Sequence, residues 1–462
     1  MKTAALLSLL ALVAAPTAPV LAKSVPAESH WQVVNAASGD LNLWTLQLKS
    51  GAFRLYSQPG ALKPFAREAA ANKDHLANKT IHGSLIYIAG QTRTSGDSLV
   101  LEGHYQSVYS QRQFRATIHR GAFRGRIFAA GKASTALQGR RLSQKQPLRN
   151  YAAVIDSAIQ TTERKFYNPH LLQQAPWLAF KQQLRRQGRT ILDDYQLKTV
   201  FTLGAARLPF SHFDLSSRRT AAAPATRSNT STATTAVPAG NVALRALSPQ
   251  TAYLQVRSFD GTHTEMDSIV NLLKARPYQH LIIDLRRNQG GSIEAVMPLA
   301  RYLSPDTVYL GAIVTRRWFE HSPLPPTPAE YRSLQPFSQA SYAGIQEAMH
   351  RAPGLSLIAP PDPQAFKGKV YLLVDQNTAS ACEPLVYSYQ HNKRAVVVGE
   401  NTAGAMLSGD RFDLPVPFVL RVPTADYYTA DGKRLDLVGV APDVKVAPEA
   451  SLDYVLHTLI NQ

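Results

Sequence analysis

The sequence predicts an α/β core built from βαβ units, preceded by a helical segment and a β-rich N-terminal module. Short strand-like runs broken by Gly, Asn, Asp and Pro fill residues 29–135. Apolar residues recur at helical spacing over residues 149–205. Strand and helix patterns then alternate from residue 241 onward. Such alternation is typical of a mainly parallel sheet flanked by helices.

The domain boundaries follow from these changes of pattern. We expect a β-rich module over residues 23–148, a helical bundle over 149–215, a linker over 216–240 and the α/β core over 241–462. The linker is rich in Ala, Thr, Ser and Pro and has no apolar periodicity. Several domains are also expected from the length of the chain, since single hydrophobic cores stop growing beyond about 250 residues.

The predicted core has strands and helices in alternating order. The expected strands are 253–256, 281–285, 370–374 and 395–398, and the expected helices are 265–274, 293–303 and 380–390. A Pro-rich insertion over residues 321–365 interrupts this order. An insertion of this length is expected to be a lid or a substrate-binding element.

The first 22 residues have the three parts of a signal peptide. Lys2 gives a basic start, residues 4–15 form an apolar stretch too short for a transmembrane helix, and small or apolar residues precede a predicted cut between Ala22 and Lys23. An uncleaved anchor is the alternative. The sequence therefore predicts an exported protein, periplasmic or secreted, with no stable membrane insertion after cleavage.

Charge and cysteine content exclude several classes of function. The formal net charge of +18 favours anionic partners, but the basic residues are dispersed and no nucleic-acid motif is present, so nucleic acid is not a predicted partner. A single cysteine, Cys382, excludes an internal disulfide framework and a cysteine metal cluster. No spacing of His and acidic residues indicates a metal site, and no cofactor is predicted.

Ser380 follows a predicted strand and opens a predicted helix. Its hydroxyl is therefore expected at the carboxyl edge of a parallel sheet, where α/β proteins usually build their sites, and beside N–H groups that stabilise developing negative charge. Ser380 and Glu383 also match a capping box, so a purely structural role is the alternative. Cys382, two residues further on, is interpreted as a packing residue rather than a nucleophile.

A second predicted strand leads into the paired glycines Gly290 and Gly291, which precede a helix. Paired glycines permit a tight turn and a close approach of two backbones. The N–H of Gly290 or Gly291, together with that of Ala381, is a candidate oxyanion hole for a tetrahedral intermediate. A phosphate-binding turn or simple strand-to-helix packing is the alternative.

Four segments in order carry a resemblance to a known family. They are Asp284-Leu-Arg-Arg-Asn-Gln-Gly-Gly, Thr378-Ala-Ser-Ala-Cys-Glu, Val398-Gly-Glu-Asn-Thr-Ala-Gly and Gly439-Val-Ala-Pro-Asp. Together they resemble the C-terminal processing (tail-specific) proteases and the tricorn protease core, a family of serine peptidases. The resemblance implies a ClpP/crotonase-like core after a helical bundle. It also implies an acyl-enzyme mechanism on peptide or protein substrates with Ser380 as nucleophile.

The same resemblance suggests the general base. Tail-specific members use a lysine, but this sequence has Ala405 at the corresponding position, and Lys433 is a poor substitute. Tricorn-like members use a histidine that follows a serine and is oriented by an acid. By similarity, His212 is the general base, Ser211 is the auxiliary hydroxyl, and Asp436 is the orienting acid at a position where the family has a glutamate.

The missing lysine leaves a second function open. A peptidase fold can persist without its chemistry, so the alternative is a catalytically inactive protein that binds peptides or a partner. The family often carries a PDZ domain before the core, but the segment between His212 and the predicted core is too short for one. The sequence makes no prediction of the oligomeric state.

Overall fold

A computed structural model describes residues 25–57, 85–107, 110–129, 132–218, 240–261, 263–338, 342–415 and 417–461. The chain divides into two units. The first unit takes the described residues up to Arg149 together with residues 191–196, and the second takes the other described residues. The predicted signal peptide and most of the predicted linker lie outside the described residues.

The first unit is a closed barrel of eight antiparallel strands. Each strand pairs with the next, and the last pairs with the first. The strands are β1 (Glu28–Asn35), β2 (Leu41–Lys49), β3 (Ala52–Ser57), β4 (Ile86–Ser95), β5 (Ser98–Ser107), β6 (Gln111–His119), β7 (Ala122–Ala129) and β8 (Lys132–Leu142). A β-rich N-terminal module is therefore present, as the sequence predicted.

Alternation of apolar and polar residues explains the barrel. In β6, Phe114, Ala116 and Ile118 are buried while the residues between them face outward, because successive side chains of a strand point to opposite faces. Trp31 and Phe123 also lie in this core. Burying one such large side chain contributes about 2 kcal/mol.

The second unit begins with helices. They are α1 (Tyr151–Lys165), a 3₁₀ turn (Leu171–Gln173), α2 (Ala175–Gly188) and α3 (Asp194–Ala205), whose first residues belong to the first unit. Asn150 caps α1 by accepting a hydrogen bond from the Ala153 N–H (3.1 Å). Val154, Ala158 and Thr161 are buried along one face of α1. A short strand, β9 (Asp214–Ser217), follows.

A six-stranded sheet lies in the core of the second unit. Its strands in spatial order are β10 (Val242–Ser248), β11 (Thr251–Val256), β12 (His280–Asp284), β16 (Lys369–Val374), β17 (Ala395–Gly399) and β20 (Val444–Lys445). β10 is antiparallel to β11, and the other neighbours are parallel. The mainly parallel sheet was predicted from the alternation of strand and helix patterns, and its buried apolar strands are typical of a sheet covered on both faces.

A second sheet was not predicted. Its strands in spatial order are β14 (Gln335–Phe337), β15 (Gly354–Ala359), β13 (Val308–Thr315), β19 (Phe418–Tyr428) and β18 (Ser408–Asp413), and β9 also pairs with β19. The insertion over residues 321–365 therefore supplies β14 and β15 to this sheet. Its interpretation as a lid or a substrate-binding element did not anticipate this role.

Helices complete the second unit. They are α4 (His263–Lys274), α5 (Ile293–Tyr302), α6 (Arg316–Phe319), α7 (Pro328–Tyr331), α8 (Tyr342–Arg351), α9 (Cys382–His391) and α10 (Ser451–Tyr454), with a 3₁₀ turn (Pro448–Ala450) and a π-helical turn (Val455–Leu459). Within the described ranges, no helix combines the length and the apolar character needed to cross a membrane.

Candidate active site

Ser380 lies on the turn between β16 and α9. Its backbone has φ +54°, in the left-handed region, and α9 begins only at Cys382 with Ala381 as its N-cap. The prediction that Ser380 opens the helix was therefore wrong by two residues. A non-glycine residue in this region is strained, and such strain is common where a side chain must be presented for function.

Only half of the predicted capping box is present. The Ser380 N–H donates to Glu383 Oε2 (3.0 Å), and the Glu383 N–H donates to the Ser380 carbonyl (2.8 Å) rather than to its hydroxyl. Among the described residues, none forms a hydrogen bond with Ser380 Oγ. Ser380 is partly exposed, and its hydroxyl is not used to cap the helix.

Glu383 also organises the segment around Ala405. Its buried carboxylate accepts hydrogen bonds from Thr402 Oγ1 (2.6 Å), the Gly404 N–H (2.8 Å) and the Ala405 N–H (2.9 Å). Burial raises the pKa of the Glu383 carboxyl. Together with the Ser380 N–H, these three donors bind the same carboxylate. Glu383 therefore holds the turn at Ser380, which we call the serine turn, against the segment around Ala405, where a lysine was expected.

Lys433 is poorly suited to replace that lysine. Its Nζ lies 3.2 Å from Asp431, and the side chain is 64% exposed. Hydrogen bonds with Tyr387 and Asp431 raise the pKa of Lys433, so the ammonium stays protonated at neutral pH and cannot accept a proton.

The turn after β12 that contains Gly290 and Gly291, which we call the glycine turn, contacts the serine turn. β12 and β16 are parallel neighbours, so the turns that follow them lie at the same edge of the sheet. A Cβ placed on Gly290, where φ is +92°, would lie 2.7 Å from the Cβ of Ser380 and 2.9 Å from the Ala381 N. Only glycine permits this approach. Asn288 strengthens the contact, since its carbonyl accepts from the Ala379 N–H (3.0 Å).

The candidate oxyanion-hole donors differ in their availability. The Gly290 N–H donates to Asn288 Oδ1 (2.9 Å), so Gly290 is occupied and does not fit the predicted role. In the described part of the chain, neither the Gly291 N–H nor the Ala381 N–H donates to a protein acceptor. These two groups therefore remain the candidates of the predicted set.

Gly291 gives a prediction about stability. A Cβ there would lie 2.3 Å from the carbonyl carbon of Phe259, and φ is +140°. We expect Gly291→Ala to lower the free energy of unfolding by about 3 kcal/mol, through backbone strain and overlap together. Gly261→Ala is the matched control, because φ is +116° there and no atom of the described residues other than those of its chain neighbours would come closer than 4.0 Å. Equal thermal unfolding of the two variants would contradict the overlap argument.

Ser211 and His212 lie between α3 and β9, held by buried aromatic rings on both sides. Phe210 packs against Phe166 with ring centroids 4.5 Å apart, and Phe213 packs against Phe201 at 5.0 Å. The backbone of His212 has φ +57°. The flanking phenylalanines thus fix a strained turn that directs the two polar side chains away from the aromatic cluster.

Asp436 reaches His212 through Ser211. The Ser211 hydroxyl donates to Asp436 Oδ1 (2.5 Å) and lies 2.8 Å from His212 Nδ1, while the Ser211 N–H donates to Asp436 Oδ2 (3.1 Å). The carboxylate is 1% exposed. The acid predicted to orient the imidazole therefore does not contact it directly, because the serine hydroxyl lies between them.

This arrangement defines the tautomer of His212. The single hydroxyl hydrogen of Ser211 is directed to the carboxylate, so Ser211 Oγ can only accept from His212, whose Nδ1 then carries the proton. Nε2 is left with a lone pair, as a general base requires. Burial, with a smaller contribution from the positive charge of Arg421, lowers the pKa of His212 to about 3, so the ring is neutral.

Adjacent residues link the two halves of the site. The Ala405 N–H binds Glu383, which holds Ser380, and the Met406 N–H donates to Asp436 Oδ1 (3.1 Å). No hydrogen bond joins Ser380 Oγ to His212 within the described ranges. A base and its nucleophile are often loosely placed before substrate binds.

Sequence reasoning missed Arg434. Its guanidinium donates to Asp436 Oδ2 (3.1 Å) and to Asp426 Oδ2 (2.7 Å), and both carboxylates are buried. Without a cation, two buried carboxylates this close would be costly. The available signal in the sequence was an arginine and an aspartate two residues apart in a strand-like segment, a spacing that places both side chains on the same face.

Part of the chain is similar in sequence to known peptidases. Residues 250–446 match the model of Peptidase family S41. The chain is 26% identical over 205 residues to a carboxyl-terminal-processing protease of Picosynechococcus sp. (strain ATCC 27264 / PCC 7002 / PR-6), a match that covers 44% of this chain and 41% of that protein. It is 27% identical over 192 residues to the protease of the same description from Synechocystis sp. (strain ATCC 27184 / PCC 6803 / Kazusa), covering 41% of this chain and 36% of that protein.

These alignments span less than half the length of both relatives. Among solved structures, a photosystem II D1 C-terminal processing protease aligns with a TM-score of 0.40 and 16% identity, covering 66% of this chain and 95% of that one. The matched family model covers the serine turn, the glycine turn and Asp436. Over residues 250–446 this chain is similar to Peptidase family S41.

Proposed function

We propose that this chain is an exported serine peptidase that cleaves peptide bonds through an acyl-enzyme. Ser380 is the nucleophile, His212 is the general base, Ser211 is the auxiliary hydroxyl and Asp436 orients the base through Ser211. The N–H groups of Gly291 and Ala381 form the oxyanion hole. Peptides or proteins are the substrates.

One observation carries the proposal. Ser380 sits on a strained turn that contacts the glycine turn, its hydroxyl forms no hydrogen bond with a described residue, and the N–H of the next residue, Ala381, has no acceptor among the described residues. A structural serine would use its hydroxyl for a cap, whereas a nucleophile must keep it available. The chain of hydrogen bonds from Asp436 to His212 supports the assignment of the base.

The chemistry proceeds in two displacements. Ser380 Oγ attacks the substrate carbonyl carbon while His212 Nε2 takes the hydroxyl proton, and the resulting oxyanion accepts hydrogen bonds from the Gly291 and Ala381 N–H groups. His212 then returns the proton to the leaving amine as the C–N bond breaks. Water attacks the acyl-enzyme with the same base, which releases the acid and restores Ser380.

Charge accounting explains the role of Ser211. When His212 becomes a cation, its Nδ1–H strengthens the bond to Ser211 Oγ, whose own hydrogen is already held by the ionised Asp436. The carboxylate therefore stabilises the imidazolium through one intervening hydroxyl. Burial keeps the pKa of His212 at about 3 in the free enzyme, and this pKa rises when negative charge develops at the oxyanion during the reaction.

Fluorophosphonate labelling tests the proposal. A fluorophosphonate reacts with an activated serine hydroxyl and should attach to Ser380 in stoichiometric amount, located by peptide mass spectrometry. The matched controls are serines with exposed hydroxyls elsewhere in the chain, which should stay unlabelled. Absence of label at Ser380, with binding of peptides retained, would favour the alternative of an inactive peptidase-fold binding protein.

A further inference from the structure

Two neighbouring aliphatic side chains beside Asp436 face solvent. Leu437 is 56% exposed and Val438 is 65% exposed, although Leu435 and Val440 on either side are 3% and 2% exposed. We call Leu437 and Val438 the apolar lip. Single exposed aliphatic residues are normal on a protein surface, but an adjacent pair next to a candidate active site needs an explanation.

The backbone of the apolar lip is held firmly. The Leu437 N–H donates to the Gly404 carbonyl (2.6 Å), and the Val438 N–H donates to the Leu435 carbonyl (2.9 Å). Asn401 Nδ2 donates to the Val438 carbonyl (2.9 Å). The side chains are thus displayed from a fixed backbone and are not part of a loose loop.

The choice of leucine at position 437 is unfavourable for folding. Its φ is +63°, a conformation that glycine or asparagine adopts at lower cost. Its side chain gains little from burial because more than half of it is exposed. A residue whose backbone conformation is unfavourable, and whose side chain gains little from packing, is expected at a functional site.

The apolar lip borders the catalytic groups. Asp436 precedes it directly, and Gly404, which binds Leu437, is followed by Ala405 and Met406. These two residues bind Glu383 and Asp436 respectively. The apolar lip therefore adjoins the segment that connects the Ser380 turn, through Glu383, with Asp436.

We propose that the apolar lip is a substrate-contact surface that selects an aliphatic or aromatic side chain near the scissile bond. The proposal rests on the peptidase function proposed above and names its substrate class. Binding an apolar side chain covers the two exposed residues and removes their apolar surface from water, which a serine or glutamate side chain would not do. This preference for apolar side chains differs from what the net charge of +18 alone favours, which is the binding of acidic peptides.

The test is a peptide series measured on lip variants. The peptides are identical except for one residue, Leu, Ser or Glu, placed in turn on each side of the cleaved bond. We expect wild-type kcat/KM to favour Leu, and the Leu-to-Ser ratio to fall about 10-fold in Leu437→Asn/Val438→Thr. Asparagine tolerates the positive φ and threonine matches the shape of valine, so the variant should fold.

Leu272→Gln is the matched control, because Leu272 is 57% exposed on α4, and its ratio should equal that of the wild type. An unchanged Leu-to-Ser ratio in the lip variant, or a wild-type preference for Glu, overturns the inference. The two failures remain distinguishable. If the wild-type protein is not labelled by the fluorophosphonate at Ser380, the peptidase function is rejected and this inference with it. If the enzyme is labelled and active but the lip variant has an unchanged Leu-to-Ser ratio, this inference alone is rejected.

Discussion

Replacing Ser380 with alanine should lower kcat for peptide hydrolysis by about 100,000-fold while leaving KM within a few-fold. The reason is that the adjacent candidate nucleophile, Cys382, cannot replace the hydroxyl. Cys382 is fully buried, and burial raises the pKa of its thiol, so the thiolate needed for attack does not form. The measurement is steady-state kinetics on a fluorogenic peptide, together with loss of fluorophosphonate label.

Ser380→Gly separates the loss of chemistry from the backbone strain. Both variants lack Oγ, so their residual activities should be equal. Glycine relieves the strain of φ +54°, so Ser380→Gly should be more stable than Ser380→Ala by about 1 kcal/mol. Substantial hydrolysis in both variants would show that Ser380 is not the nucleophile. Equal stabilities would show that the turn is not strained.

The strands that carry the site could be predicted because their local pattern and their tertiary role agree. β12 and β16 are short apolar runs that end at polar or glycine-rich turns, and both are buried on two faces. The start of α9 could not be predicted. The capping-box pattern at Ser380 and Glu383 is real, but the positive φ of Ser380 depends on contact with Gly290, which is distant in sequence.

Details of the candidate site depend on contacts that sequence spacing does not reveal. The hydroxyl of Ser211 lies between His212 and an aspartate 225 residues further along, so the indirect geometry requires the folded chain. The occupied N–H of Gly290 had a local signal, because an Asn two residues earlier often accepts such a bond. Strand β14 was hidden for a different reason, since it is only three residues long and contains a proline.

His212 carries the second large effect. We expect His212→Asn to lower kcat by about 10,000-fold, since the nucleophile loses the base that takes its proton. Asparagine is the appropriate substitute because it tolerates φ +57° better than alanine does. His350→Asn, at a histidine whose side chain is 65% exposed, is the control and should retain activity. Near-full activity of His212→Asn would exclude His212 as the base.

The pH dependence follows from the low pKa of His212. An ordinary histidine gains its proton near pH 6.5, but burial and the charge of Arg421 lower the pKa of His212 to about 3. The acid limb of wild-type kcat/KM should therefore lie below about pH 5, because this limb reports the base of the free enzyme.

The unfolded chain takes up a proton at His212 below pH 6.5 while the folded protein does not, so this residue makes stability fall as pH drops from 6.5 toward 3. His212→Asn should lose that part of the slope.

His212→Gly offers the sharpest version of the same experiment. Glycine adopts φ +57° without strain, and removing the ring leaves space beside Ser211 that free imidazole can enter. Added imidazole should restore part of the lost activity, with an acid limb closer to that of free imidazole because the added ring is less fully desolvated. Rescue in His212→Gly but not in Ser380→Gly would assign the proton transfer to the ring at position 212. No rescue, together with retained activity in His212→Asn, would show that the chain uses another base.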